Sequence, residues 1–361
     1  MTEKPTVSGQ LRSLLERLPE SLPELKDHPE MQRPVALRLF LDRVEDIRFE
    51  NASDALSLIV EATSFFSAIP PFFKRMEFRE LRCRICLIAG SIKRTLADFD
   101  HASLAYLCAH EDIKHGDMDP RFSFELGSRM ALLRRDQRHF DEALNLATTG
   151  LKTARANGDQ TWAPRLMVIL ANILVTMGRH EEGLARYQEA LEILSPDDQN
   201  FYFAAVQSTA VALCALKTSP TEQISAWLEK ARAVENKLPN SNHQLHLTWL
   251  EAFLAQRNGD TTEAEKKLRK VRQGFLSTGM LTFSCAITMD LALLYLENGQ
   301  PNKAMQLSAD IFSMLKGLRI HRDAIAALKL YIESAASSCL TTSLVETIRT
   351  QILKCPSILE H

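Results

Sequence analysis

Between Leu170 and Leu191 the apolar positions recur at helical spacing in two blocks. Leu170, Ala171 and Leu174 share one face of a first helix, and Gly183, Tyr187, Ala190 and Leu191 share one face of a second. Gly178 breaks the period between them. The pattern predicts an αα-hairpin in which the small residues Ala171 and Gly183 mark the closest approach of two antiparallel helices. Such a unit cannot bury its apolar faces alone, so it calls for neighbours of the same kind.

From Pro34 onward those neighbours recur. Equivalents of Gly183 fall at Ala55, Ala102, Ala143, Ile224, Ala264, Ala304 and Val345, at intervals of 47, 41, 40, 41, 40, 40 and 41 residues along the full series. Helix punctuation keeps the same register. Ser219-Pro220-Thr221-Glu222 reads as an N-cap followed by proline at the first helical position, Asp260 with Glu263 reads as a capping box, and Pro301 starts the helix after Gly299. Gly116-Asp117, Gly158-Asp159, Asn240 and Gly279 supply turns between units. The one long interval is accounted for by Ala68-Ile69-Pro70-Pro71, a rigid kink ahead of a helix beginning near Lys74.

Residues 1–33 carry Pro5, Pro19, Pro23 and Pro29, which forbid one long helix. Ser8–Leu18 still fits a short amphipathic helix through Leu11, Leu14, Leu15 and Leu18, with Ser8 as N-cap. The expected organisation is an arm or cap over 1–33, a solenoid of seven to eight hairpins over 34–354, and a tail over 355–361.

These residues resemble the tetratricopeptide repeat. Ala171, Gly183, Tyr187 and Ala190 match its small, small, aromatic, alanine pattern in one unit, and Gly90, Ala102, Tyr106 and Ala109 match it two units earlier. Ala131, Phe140 and Ala143 match between them; Ala212, Leu228 and Ala231, then Ala252 and Ala264, then Ala292, Tyr295 and Ala304 match in part. The resemblance implies an all-α, right-handed α-solenoid of antiparallel helical hairpins. The units depart from the usual length of about 34 residues and are similar to longer-helix variants found in bacterial regulators, peptide-sensing receptors and adaptors. LRRDQRHFDEAL, from Leu133 to Leu144, carries that likeness especially, as does the stretch from Val271 to Ala304.

In that family the first helix of each unit, helix A, lines a concave binding face. Carried onto this chain, the resemblance places Arg84, Ser91, Arg94, Ser128, Arg135, Arg165 and Asn172 inward in the N-terminal half. In the C-terminal half it places Val206, Thr209, Leu213, His246, Trp249, Phe253 and Met289. The first set is basic and polar, the second apolar and aromatic. The expectation is a groove that takes an acidic or C-terminal carboxylate near Arg94, Arg135, Arg165 and Asn172, and an apolar side chain near Trp249 and Phe253. The competing expectation is that the arginines pair with Glu125 or Asp136 and that Trp249 packs between helices.

Composition changes little in this picture. With 45% apolar and 24% charged residues, 13 glycines and 14 prolines, the chain favours helix, and its net charge of -2 offers no general attraction to nucleic acid or anionic membrane. Seven scattered cysteines, with Cys108, Cys214 and Cys285 on expected apolar faces, fit reduced thiols. The N-terminus lacks the basic and apolar blocks of a signal peptide, and no apolar run reaches the ~20 residues of a spanning helix. A cytoplasmic protein is expected.

Other chemistry is thinly marked. Cys83-Arg-Ile-Cys86 has zinc-like spacing without a second pair, His243 and His246 lack a third ligand, and His321-Arg322-Asp323 matches a kinase triplet in letters only. No phosphate-binding glycine loop or serine elbow occurs in the sequence, and Lys266, Lys267, Arg269, Lys270 and Arg272 are interleaved with acids. The sequence therefore predicts a non-enzymatic module for a protein or peptide ligand, without cofactor, metal or membrane. The alternative is a peptide sensor whose superhelix changes conformation on capture. A nucleic-acid-binding repeat or a helical enzyme fits the residues less well.

Overall fold

The computed structural model describes residues 7–69, 75–114, 118–196, 198–216, 218–236, 241–307 and 310. Among the described residues there are helices and turns and no strand. An arm of α1 (Gly9–Glu16), α2 (Leu22–Lys26) and a 3-10 turn at Pro29–Gln32 precedes the hairpins. The pairs are then α3 (Pro34–Glu50) with α4 (Ala52–Ala68), α5 (Arg75–Thr95) with α6 (Phe99–Ile113), and α7 (Arg121–Asp136) with α8 (Phe140–Ala156). They continue as α9 (Trp162–Thr176) with α10 (His180–Ile193), α11 (Gln199–Ala215) with α12 (Thr221–Glu235), and α13 (Ser241–Arg257) with α14 (Thr261–Ser277). Last come α15 (Leu281–Glu297) and a helix opening over 301–307. Val345, His321-Arg322-Asp323 and the 355–361 tail lie outside the described residues, as do Pro70, Pro71, Lys74, Gly116, Asp117 and Asn240.

The chain forms two compact units, Met1–Met130 and Ala131–His361, with the boundary inside α7. In the first, Leu11, Leu14 and Leu15 of α1 share a core with Leu37 and Phe40 of α3 and Leu58 and Phe65 of α4. The Phe40 and Phe65 rings meet edge-on at 5.2 Å. Ser8 caps α1, its hydroxyl accepting the Leu11 N–H at 3.2 Å. In the second, Phe203, Val206 and Leu213 of α11 pack with Ile224 and Leu228 of α12 and Leu247 and Leu250 of α13. Within each unit, hairpins thus cover apolar faces that their neighbours cannot bury alone.

The repeat register stands on one contact. Ala55, Ala102, Ala143, Gly183, Ile224, Ala264 and Ala304 each occupy the fourth position of their helix B, and all are buried. At Gly183 an added Cβ would lie 2.5 Å from Val175 Cγ2 and 3.1 Å from the Ala171 carbonyl oxygen, so the two backbones cross where the sequence pattern placed them. At Gly90 the space of a Cβ is taken by the Tyr106 ring.

Five A-to-B turns among the described residues close alike, through a residue of positive φ at 97, 138, 178, 259 or 299. Gly178 (φ 82°) donates to the Val175 carbonyl at 3.0 Å and Arg179 to Leu174 at 2.9 Å, satisfying carbonyls the helix leaves open. Ala97 (φ 59°) and Arg138 (φ 69°) adopt the same left-handed conformation with a Cβ present, at a cost of about 1–2 kcal/mol each. The Asp260 carboxylate accepts the Glu263 N–H at 3.0 Å as expected of a capping box. One expected start is displaced: α12 has Pro220 as its N-cap, at φ -62° and ψ 140°, so Ser219 lies one residue outside and is buried.

Two outcomes follow for stability. Gly183→Leu overpacks the crossing and destabilises the fold by about 1–3 kcal/mol, read as a lower midpoint in urea. Arg138→Gly relieves the left-handed strain and raises that midpoint, with a net gain of about 0.5–1 kcal/mol after the backbone-entropy cost of glycine.

Candidate functional site

Helix A residues expected to face a ligand separate into those the fold has claimed and those left partly open. In the first unit, Arg84 on α5 forms an ion pair with Asp42 on α3. Arg94 stands in the last turn of α5, where a cation complements the carbonyl end of the helix. Ser91 and Ser128 are buried.

The dominant polar feature of this unit is Arg129 on α7, which the sequence pattern did not single out. Its guanidinium pairs with Glu125 at 2.5 Å and with Glu45 of α3 at 3.1 Å, and it donates to the Leu87 carbonyl and the Ser91 hydroxyl of α5. Ser91 in turn meets the Tyr106 hydroxyl at 3.1 Å. Arg48 reaches Glu45 at 2.8 Å. Burial alone would raise the Glu45 carboxyl, but the Arg129 and Arg48 charges outweigh it and hold it down at about 2.

In the second unit, Asn172 of α9 accepts a hydrogen bond from the Tyr187 hydroxyl of α10 at 2.7 Å and a longer one from Ser208 of α11 at 3.5 Å. Burial pushes the Tyr187 phenol above its ordinary value, so it remains a donor. Arg165 donates through Nε to Asp198 at 2.6 Å, with its guanidinium near the rings of Trp162 and Phe201 at 5.3 and 5.1 Å. Arg135 pairs with Asp136 at 2.6 Å. Arg135 and Arg165, expected to seek a ligand carboxylate, thus each already have one, so the expected carboxylate subsite loses their free positive charge.

Thr209 requires a second correction. It is 0% exposed and its hydroxyl donates to the Ala205 carbonyl at 2.8 Å, so it is a core residue. Val206, Leu213 and Met289 are buried likewise. Adjacent A helices pack on one another, which covers positions that a single hairpin would leave open.

His246, Trp249 and Phe253 of α13 remain half-buried along one stripe. Trp249 stacks on Phe253 with ring centroids 5.9 Å apart, and its Nε1 donates to Asp290 of α15 at 3.0 Å. His246 stands edge-on to Phe283 of α15 at 4.9 Å and to Phe275 of α14 at 5.1 Å. Burial drives the His246 imidazole down to about 4, and neighbouring His243, stacked on Phe203 at 3.9 Å, acts in the same direction. Phe283 is 37% exposed. Phe283 and Asp290 were not singled out from sequence, although Asp290 lies 41 residues after Trp249, one repeat along.

Cys83 and Cys86 are free thiols raised to about 12 and about 11 by burial, which suppresses thiolate chemistry. Cys285 is buried and Cys214 half-buried, whereas Cys108 is exposed, contrary to its expected place on an apolar face. Among the described residues no group of three or more His, Cys, Asp or Glu is placed to hold a metal ion. No described helix is long and apolar enough to cross a membrane.

No protein-family profile matches the sequence, and no curated protein matches it. Solved structures do. A Rap protein complexed with Competence and Sporulation Factor is similar at TM-score 0.60 and 12% identity, covering 88% of each chain. Aspartyl phosphate phosphatase F from Bacillus subtilis is similar at TM-score 0.54 and 13% identity, covering 96% of this chain and 78% of its own. A Rap conjugation gene regulator in complex with the Phr* peptide is similar at TM-score 0.54 and 12% identity, covering 88% of this chain and 96% of its own. At such identities the likeness is one of fold, and the fold is a tetratricopeptide-like helical repeat.

The Glu45 network carries a pH signature. A carboxyl held at about 2 against an ordinary 4.5 contributes its full stability above pH 4.5 and loses it as pH falls toward 2. Glu45→Gln is expected to lower the unfolding free energy at pH 7 by roughly 3 kcal/mol, and the gap from the unaltered protein should narrow below pH 4.5 in urea titrations.

Proposed function

We propose that this chain is a non-enzymatic, cytoplasmic regulatory module that captures a short peptide or protein segment on the helix A row of its second unit. The observation that carries this reading is the stripe of His246, Trp249 and Phe253 beside Phe283, aromatic side chains left half-open on helices whose other inward residues are buried or bonded. Trp249 is oriented by its bond to Asp290 and loses little freedom when a ligand packs on it. Asn172, already held by Tyr187, keeps its amide N–H groups for the backbone of an extended segment.

The neighbours in fold support the same direction: one of those proteins is complexed with Competence and Sporulation Factor and another with the Phr* peptide. The ligand preference differs from that expected of the arginines. With Arg135 and Arg165 paired to Asp136 and Asp198, selectivity falls to an apolar or aromatic anchor seated at Trp249 and Phe253. A second reading is that capture changes the pitch between hairpins; the polar bonds joining successive A helices, such as Trp249 to Asp290, are the contacts such a motion would strain.

The test is a thermal-shift screen of the full chain against five- to ten-residue peptides bearing one large apolar side chain. A binding peptide should raise Tm, and Trp249→Ala should weaken it roughly 30-fold, the loss of about 2 kcal/mol typical of an aromatic anchor. Arg135→Glu with Arg165→Glu should change affinity less. Absence of any binding peptide, or equal affinity in the Trp249→Ala protein with its helicity intact, would overturn the proposal.

A further inference from the structure

A cleft of about 330 Å³ lies among α14, α15 and the helix over 301–307, built largely by B helices and separate from the row of Trp249 and Phe253. Its apolar wall is made by Leu291, Leu307 and the ring of Tyr295. Its charged wall is made by Arg269, Arg272 and Lys303. Two cations of the α14 basic run, which the helix A row leaves unexplained, thus face a concavity.

The acids near this cleft are already engaged. Glu265 is held by Arg269 at 2.9 Å and by the Tyr295 hydroxyl at 2.8 Å, and Asp310 by Arg272 at 2.6 Å. Arg272 also donates through Nε to Thr288 at 3.0 Å. Each arginine keeps further N–H groups, since a guanidinium has five donors. Lys303 lies over the Tyr295 ring at 5.1 Å and has no carboxylate partner among the described residues. Gln273 and Gln306 add amide donors at the rim. Three cations against two acids leave an excess of one positive charge and several spare donors above an apolar floor.

We propose that this cleft binds a small organic anion, its head among Lys303, Arg269 and Arg272 and its apolar body against Leu291, Leu307 and the Tyr295 ring. The volume stands at the lower end of small-molecule sites, about 300–1,000 Å³, which suits one ring or a short aliphatic chain and not a peptide. A phosphate or carboxylate head meets forked and point-charge donors of the kind that recognise it.

Ligand-observed NMR titration of the full chain tests this with four probes: phenyl phosphate, benzoate, inorganic phosphate and benzyl alcohol. Phenyl phosphate or benzoate should bind at least roughly tenfold more tightly than either inorganic phosphate or benzyl alcohol, as one charge-assisted hydrogen bond and one buried ring each contribute about that factor. Arg269→Gln with Lys303→Gln should cost at least roughly tenfold, with helicity unchanged. Lys266→Gln, a highly exposed lysine of the same helix outside the cleft, should bind as the unaltered chain does. Equal binding of benzyl alcohol or inorganic phosphate, no binding of either organic anion, or undiminished affinity in the double variant would each overturn the proposal.

Discussion

Everything in this fold depends on how closely the two helices of a hairpin can approach at the fourth residue of helix B. Where that residue is alanine or glycine the backbones cross in near contact, as Gly183 does against Ala171 and Val175. The approach sets the phase of helix A relative to helix B. Repeated at intervals of about 40 residues, it sets which helix A residues form a continuous row within a unit. The left-handed turn at Gly178, reproduced at Ala97 and Arg138, reverses the chain while keeping that phase, and it recurs at two positions where a Cβ makes it costly.

A second constraint is layered on the first. A tyrosine on helix B buries its ring at the crossing and must find a partner for its hydroxyl. Tyr106 finds Ser91, and Tyr187 finds Asn172, in positions separated by 81 residues in both cases, two repeat lengths. Each partner then touches the following helix A, Ser91 through Arg129 and Asn172 through Ser208. Part of the hydrogen-bonding capacity that an isolated hairpin would offer to a ligand is therefore taken up in joining hairpins. On α13, which stands between α11 and α15, the inward side chains left half-open are His246, Trp249 and Phe253.

The sequence was informative wherever the determining contact is local. A hairpin spans a few tens of residues, its apolar periodicity and its small residues lie in one stretch of chain, and the caps at Ser8 and Asp260 involve neighbours three residues away. Register, turns and the candidate row on helix A could be read for that reason. The shift of the α12 start by one residue is of the size expected where a proline can serve either as cap or as first helical residue.

The chain by itself determined an all-α architecture of hairpins, their boundaries, their period and the helices that would carry a binding face. The tertiary structure alone decided which residues of that face are free. Arg165 meets Asp198 at 33 residues' separation, Arg84 meets Asp42 at 42, and Trp249 meets Asp290 at 41. Each pairing depends on the rotation of one A helix against the next, and a single residue turns a side chain by about 100° around its helix axis. Periodicity alone does not fix that angle closely enough to tell a paired arginine from a free one, or buried Thr209 from half-open Trp249.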